Sequence, residues 1–77
     1  MKRIENVRKI IGMDGSTPVA VLDLQVSTLA DLPELGEVVE GYKTAAGSIS
    51  QVVQAGGFRT LDSTGTWYDE SGNAVTS

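Results

Sequence analysis

The side chains of this sequence that could take part in chemistry are mainly carboxylates. Asp69 and Glu70 are adjacent, and Asp31 precedes Glu34 by three residues. Two carboxylates can share acid and base roles, as in glycoside hydrolysis, when a cleft holds them at a fixed separation. A chain of 77 residues is too short to form a deep cleft of its own around either pair. We therefore interpret both pairs as surface groups in turns.

Three further segments contain residue types that are found in catalytic or ion-binding loops. Asp62 is separated from Gly65 by two residues, one more than the Asp-Ser/Thr-Gly turn of aspartic proteases allows. Residues 69–73 lack the alternating ligands and the distal glutamate of a calcium loop. Gly47-Ser48 lacks the preceding glycine and lysine pattern of a phosphate loop. We predict turns at Asp62 and Asp69, and at Asp62 we expect side-chain oxygens bonded to their own backbone.

The sequence contains no histidine and no cysteine. Histidine is the usual general base, the commonest metal ligand and the partner of serine and cysteine nucleophiles. Without cysteine, neither a disulfide framework nor a thiolate zinc site can form. We therefore predict that the protein is not an enzyme, that it has no metal site and that it needs no cofactor.

The size of the chain limits the core that it can build. Valine, leucine and isoleucine supply most of the apolar surface, and only four aromatic residues are available as large anchors: Tyr42, Phe58, Trp67 and Tyr68. Small domains with a thin core and no disulfide are commonly stabilised by oligomerisation. We therefore expect a partner chain, and a homo-oligomer is the simplest form.

Charge is distributed unevenly along the chain, whose net charge is −4. Lys2, Arg3, Arg8 and Lys9 lie in the first ten positions, whereas residues 13–41 contain six acidic residues and no basic one. This asymmetry favours packing between protein chains over nucleic-acid binding. A solvated acidic face is the alternative. We divide the chain into a basic N-terminal segment, 1–12, and a single small β-rich domain, 13–77. No apolar run is long enough for a signal peptide or a membrane span, so we expect no membrane partner.

The N-terminal segment is ambiguous in its periodicity. Ile4, Val7, Ile10 and Ile11 fit one face of a helix, but residues 7–11 fit a strand equally well. Asp14-Gly15 after Met13 predicts a tight hairpin turn.

The remaining segments predict a mainly β fold. Apolar and polar residues alternate from Leu22 to Val26, which indicates a strand over residues 17–27. Residues 28–41 contain Pro33 and several leucines, and they predict a loop-rich connection under the sheet, with short helical turns as the alternative. Glycines then recur every eight or nine residues, as in a meander of short strands. Within this meander, residues 48–54 fit either a helix or a strand. Residues 58–61 and 66–68 are predicted to form a hairpin. The fold prediction is a small antiparallel meander or sandwich-like domain, with one short helix at most.

The order of four segments resembles head fibre proteins and related small virion proteins of tailed bacteriophages and prophages. The segments are Ala30-Asp31-Leu32-Pro33, Ala45-Ala46-Gly47-Ser48, residues 58–62 and Gly65-Thr66-Trp67-Tyr68, and the resemblance spans residues 29–72, a little over half the chain. The resemblance implies a β-rich base that docks on the capsid shell as a symmetric oligomer, often a trimer. It implies no catalysis and no cofactor. A head fibre would continue into a stalk and a tip, so we expect a fibre base or a decoration protein, in a virion assembled in the host cytoplasm.

The expected partner is therefore the major capsid protein or another virion protein. Adjacent residues of a strand point to opposite faces, so that one ring of Trp67-Tyr68 can fill the core while the other meets a neighbour. The candidate interface residues are Lys2, Arg3, Arg8, Lys9, Leu32, Leu35, Trp67 and Tyr68. A small acidic regulator that binds a host protein through residues 13–41 is the alternative function.

Overall fold

The computed structural model describes residues 1–75, which form one mixed sheet of seven strands. The strands are β1 (Lys2–Asp14), β2 (Thr17–Val26), β3 (Val38–Val39), β4 (Tyr42–Thr44), β5 (Ile49–Val52), β6 (Phe58–Leu61) and β7 (Trp67–Tyr68). A single 3-10 turn covers Leu29–Asp31. The prediction of a mainly β domain is confirmed. Thr76 and Ser77, the last residues of the predicted domain, lie outside the described residues.

β1 and β2 form a long antiparallel hairpin, so the N-terminal segment is a strand and not a helix. The ladder closes at the pair Asp14–Thr17, and Gly15 has a positive φ of 61° in the turn. Glycine adopts such dihedrals without strain, which is why Asp-Gly predicts this hairpin correctly. Because β1 continues through residue 12, the basic segment and the rest of the chain share one sheet.

β1 is longer than the strand with which it pairs: it has 13 residues and β2 has 10. The register shifts after Ile4, after Val7 and after Ile10, and each shift leaves one residue of β1 opposite no residue of β2. The unpaired residues are Glu5, Arg8 and Ile11. Each shift is a β-bulge, which increases the local twist and bends the strand.

The bulges give β1 a repeat of three residues instead of two. Residues that oppose each other in an antiparallel ladder lie on the same face. Four residues of β1 oppose Leu24, Leu22, Ala20 and Pro18 of β2 and form an apolar stripe: Ile4, Val7, Ile10 and Met13. This spacing of three is close to the helical period of 3.6, which explains why the sequence pattern also fitted a helix.

The other edge of β2 pairs with two strands in succession. β4 lies parallel to β2 at Val19–Ala20, and β5 lies parallel to it from Asp23 to Val26. Parallel neighbours need a long crossover, and residues 27–41 provide it with the predicted loop-rich connection. The sheet is therefore mixed, and the antiparallel pairings are those of the β1–β2, β3–β4, β5–β6 and β6–β7 pairs.

Ser48 bridges the gap between β4 and β5. Its hydroxyl oxygen accepts a hydrogen bond from the amide of Leu22 (3.0 Å) and its hydroxyl donates to the carbonyl of Ala45 (2.7 Å). The side chain is fully buried. Ser48 thus supplies the acceptor that a continuous neighbouring strand would otherwise offer to Leu22.

The core lies on one face of the sheet. Its buried members are Ala20, Leu22, Leu24, Val39, Leu61 and Trp67, and Ile4, Val7, Leu32, Tyr42 and Val75 pack against them. The opposite face is called the outer face here. It carries the alternate residues of β2, β5 and β6, which are half-buried or exposed.

Candidate protein-interaction surfaces

On the outer face, side chains of neighbouring strands form rows that cross the sheet. In one row Arg3 donates to Gln25 (2.9 Å), and Gln25 donates to Gln51 (3.1 Å). The ladder pairs Gln51 in turn with Phe58 of β6. Phe58 is 50% exposed, which is unusual for a residue of this size in a strand. The row therefore ends in an apolar group that no part of the described chain covers fully.

A shallow hollow of about 500 Å³ lies beside Phe58 on the outer face. Three apolar residues line it, Phe58, Ile49 and Leu24, together with four polar ones, Glu5, Asp23, Gln51 and Thr60. Protein interfaces combine apolar and polar groups in this way. We call this region the Phe58 hollow.

A second candidate surface is the turn end of the β1–β2 hairpin, residues 8–16, which we call the arm. All nine residues are exposed. Ile10 is 54% exposed and Met13 is 62% exposed, although both belong to the apolar stripe that packs against the core at Ile4 and Val7. The stripe therefore continues beyond the domain's own core.

Three of the four basic side chains predicted at the interface are engaged within the chain. Lys2 pairs with Glu37, Arg8 pairs with Asp23, and Arg3 lies 2.8 Å from Glu5. The hydrogen bond from the Arg8 guanidinium lowers the pKa of Asp23. Lys9 has no ion pair within residues 1–75. Two of the basic residues, Lys2 and Arg8, are thus paired with acidic residues of the following domain, and Arg3 is paired within the segment itself.

The four predicted apolar and aromatic interface residues differ in their exposure. Trp67 is only 7% exposed, and its indole N–H donates to the carbonyl of Pro33 (2.7 Å). Tyr68 is half-buried on the outer face, as expected for the neighbour of a core residue. Leu32 packs against the core, whereas Leu35 is exposed and lies close to Gly65.

The carboxylate of Asp62 stabilises a turn by hydrogen bonds. Asp62 accepts hydrogen bonds from the Thr64 hydroxyl (2.7 Å) and from the Thr66 amide (2.9 Å), and both lower its pKa. Gly65 completes the turn with a φ of 88°. The turn predicted from Asp-Ser-Thr-Gly is confirmed.

Asp69 repeats this arrangement seven residues later. Its carboxylate accepts from the amides of Asn73 (3.0 Å) and Ser71 (2.9 Å), and these bonds lower its pKa. Gly72 has a φ of 84°. The two turns follow one pattern, Asp-x-x-Gly-x, in which the carboxylate ties down the amides that the turn leaves free.

Within residues 1–75 there is no group of three acidic, histidine or cysteine side chains that could hold a metal ion. No helix in the same residues is long and apolar enough to cross a membrane.

Comparison of the chain with protein-family models, with curated proteins and with solved structures finds no match. The surfaces must therefore be interpreted from their own chemistry.

Sequence reasoning did not single out Phe58 or the exposed half of the apolar stripe as interface residues. The signal for the stripe is present in the sequence, because Ile4, Val7, Ile10 and Met13 follow a strict spacing of three. No local signal distinguishes Phe58 from a core aromatic, since its exposure depends on the pairing of β6 with β5.

Proposed function

We propose that the chain is a non-enzymatic structural protein of a tailed-bacteriophage virion, a head fibre base or a decoration protein, that binds the major capsid protein. The observation that carries this proposal is the Phe58 hollow: an exposed aromatic residue and Ile49 surround about 500 Å³ on an open sheet face. Large aromatic residues at the centre of an interface contribute much of its binding energy. The resemblance of residues 29–72 to head fibre proteins supports the choice of partner.

The arrangement of the sheet suits attachment to a surface. The core and the crossover occupy one face, so the outer face is free to lie against a shell. Its hydrogen-bonded row from Arg3 to Gln51 holds the polar side chains in place before binding. Side chains that are ordered beforehand lose less conformational entropy when a complex forms.

The proposal is tested by co-sedimentation with capsid shells, assembled from the major capsid protein encoded in the same phage or prophage genome as this chain. We expect the chain to sediment with the shells, and we expect Phe58→Asp to weaken binding at least tenfold, because a carboxylate would then be desolvated in the hollow. Val38→Asp places the same charge at another exposed apolar position of the outer face, at the opposite side of the sheet from β6, and it should weaken binding much less.

Two results would contradict the proposal. The first is recovery of the chain in the supernatant at every shell concentration. The second is an equal loss of binding for Phe58→Asp and Val38→Asp, which would show an effect of charge alone. A salt-sensitive 1:1 complex with a basic host protein, in place of capsid binding, would support the acidic regulator instead.

A further inference from the structure

We propose that two copies of the chain pair through β1, with the two β1 strands antiparallel and a two-fold axis at Val7. The inference rests on the proposed function as an association protein, and it names a partner for a surface other than the Phe58 hollow. The partner is a second copy of the chain. The two sheets would become one continuous sheet.

β1 has a free edge along which such pairing can occur. β2 is the only strand in residues 1–75 that pairs with β1, and β3 lies near β1 without pairing with it. Outside that pairing, one backbone hydrogen bond of β1 is present in these residues, from the amide of Ile4 to the exposed carboxylate of Glu40 at 3.3 Å. A side chain on the surface can move aside at little cost. An unprotected strand edge is a template for another strand.

The three-residue repeat restricts which strand can use this edge. A regular strand repeats every two residues, so it would lose register with β1 at each bulge. A second copy of β1 has the same repeat, and three residues of one strand then face three residues of the other. A regular strand therefore cannot keep register with β1 across the bulges, whereas a second copy of β1 can.

A two-fold axis at Val7 matches the side chains of the two strands. Ile4 of one copy faces Ile10 of the second copy, and Val7 faces itself, so the apolar stripes are joined. On the outer face Glu5 faces Lys9, which has no ion pair within the described residues. Glu5 is also 2.8 Å from Arg3 of its own strand, and it can contact both cations.

Neighbouring registers lack this match. With the axis at Asn6, Arg3 faces Lys9, and with the axis at Arg8 that residue faces itself, so like charges meet in both cases. With the axis between Asn6 and Val7, Ile4 faces Lys9. The register at Val7 joins Ile4 to Ile10 and Glu5 to Lys9, and it brings no two like charges together, although Arg3 then faces Ile11.

Charge reversal tests the register. We expect the wild-type chain to form a dimer in sedimentation equilibrium at micromolar concentrations. Glu5→Lys and Lys9→Glu should each weaken the dimer about tenfold or more, because each change places like charges together at two symmetric positions. The double variant Glu5→Lys/Lys9→Glu should recover the dimer to within about threefold, since the attraction is restored with reversed sign. Glu34→Lys, an exposed change of equal charge on the crossover, should leave the dimer unchanged.

Magnetic resonance supplies a second test that needs no variant. Ile4 and Ile10 of one strand are six residues apart, roughly 20 Å in an extended chain, too far for a nuclear Overhauser effect between their methyl groups. In a sample of mixed isotope labelling, such an effect between Ile4 and Ile10 can arise only between copies. We expect to observe it.

The inference is overturned if the wild-type chain is a monomer throughout the concentration range or forms a trimer. It is also overturned if the single charge reversals leave the dimer intact, or if the double variant is folded but stays monomeric. These measurements use the protein alone and are independent of capsid binding. If the chain is a monomer that binds shells, the proposed function holds and the dimer inference fails. If the chain is a dimer that does not bind shells, the dimer inference holds and the proposed function fails.

Discussion

Ser48 shows how much can depend on a single hydroxyl group. It stands where the neighbour of β2 changes from β4 to β5, and it satisfies a backbone amide that no strand reaches. A donor that is buried without an acceptor is far more unfavourable than the same donor in water.

Ser48→Ala should therefore destabilise the protein by about 1–3 kcal/mol, since the amide of Leu22 would be left without its acceptor. The measurement is the free energy of unfolding in urea. Ser63→Ala, in the exposed turn after Asp62, is the matched control and should change that free energy by less than about 0.5 kcal/mol. Equal effects of the two substitutions would show that the Ser48 hydroxyl is dispensable.

The apolar stripe of β1 divides into a part that belongs to the core and a part that does not. Val7 packs against the core, whereas Ile10 is more than half exposed. In a dilute, monomeric sample Val7→Ala should reduce the free energy of unfolding by about 1 kcal/mol. Ile10→Ala should reduce it by less than about 0.5 kcal/mol. Thermal unfolding followed by circular dichroism would measure both, and a larger loss for Ile10→Ala would mean that the arm folds back onto the domain.

At the scale of elements, the two Asp-x-x-Gly-x turns make the last hairpins sensitive to acid. Their carboxylates have lowered pKa values in the folded chain. A lowered folded-state pKa contributes stability above the ordinary aspartate value of 3.8, and this stability is lost as the pH falls through the folded pKa.

The double variant Asp62→Asn/Asp69→Asn should therefore be less stable than the wild type at neutral pH, and its stability should decline less on acidification below about pH 4. Urea unfolding midpoints at neutral pH and at about pH 3 measure both effects. Glu34→Gln is the control, because it removes an exposed carboxylate that lies outside the two turns. The prediction would be contradicted if the unfolding midpoints of the wild type and the double variant fell by the same amount on acidification.

Much of the element content was predictable because it is encoded locally. Glycine and aspartate at Gly15, Gly65 and Asp69 specify turns by their own dihedral and hydrogen-bonding preferences, and alternation from Leu22 to Val26 specifies a strand. The parallel placement of β4 and β5 beside β2 was not predictable, because it depends on where the crossover brings the chain back. β1 was ambiguous because bulges convert the two-residue period of a strand into three.

The candidate site was less predictable than the fold. Lys2, Arg3 and Arg8 form a basic cluster in the sequence, but folding places acidic side chains beside each of them. Trp67 and Phe58 are both strand aromatics, and only long-range pairing buries the first and exposes the second. Charge and aromatic content can suggest an interface, whereas its location requires the three-dimensional structure.

At the scale of the whole molecule, pairing through β1 would place both outer faces on the same side of the joined sheet, because opposing residues of a ladder share a face. Two Phe58 hollows would then face a shell together. Bivalent attachment raises apparent affinity well above that of one site.

Lys9→Glu should accordingly weaken binding to shells by about tenfold or more, although Lys9 lies outside the Phe58 hollow. Binding isotherms from co-sedimentation provide the measurement. Unchanged affinity for Lys9→Glu, in a sample shown to be monomeric, would indicate that each copy binds alone.

The hydrogen bond from Trp67 to Pro33 joins the last hairpin to the crossover, and Trp67 is the only tryptophan of the chain. Its fluorescence therefore reports on one junction in the folded protein, without any added label. A red shift of the emission would signal that the crossover has separated from the sheet. The chain thus contains its own optical probe for the closure of its core.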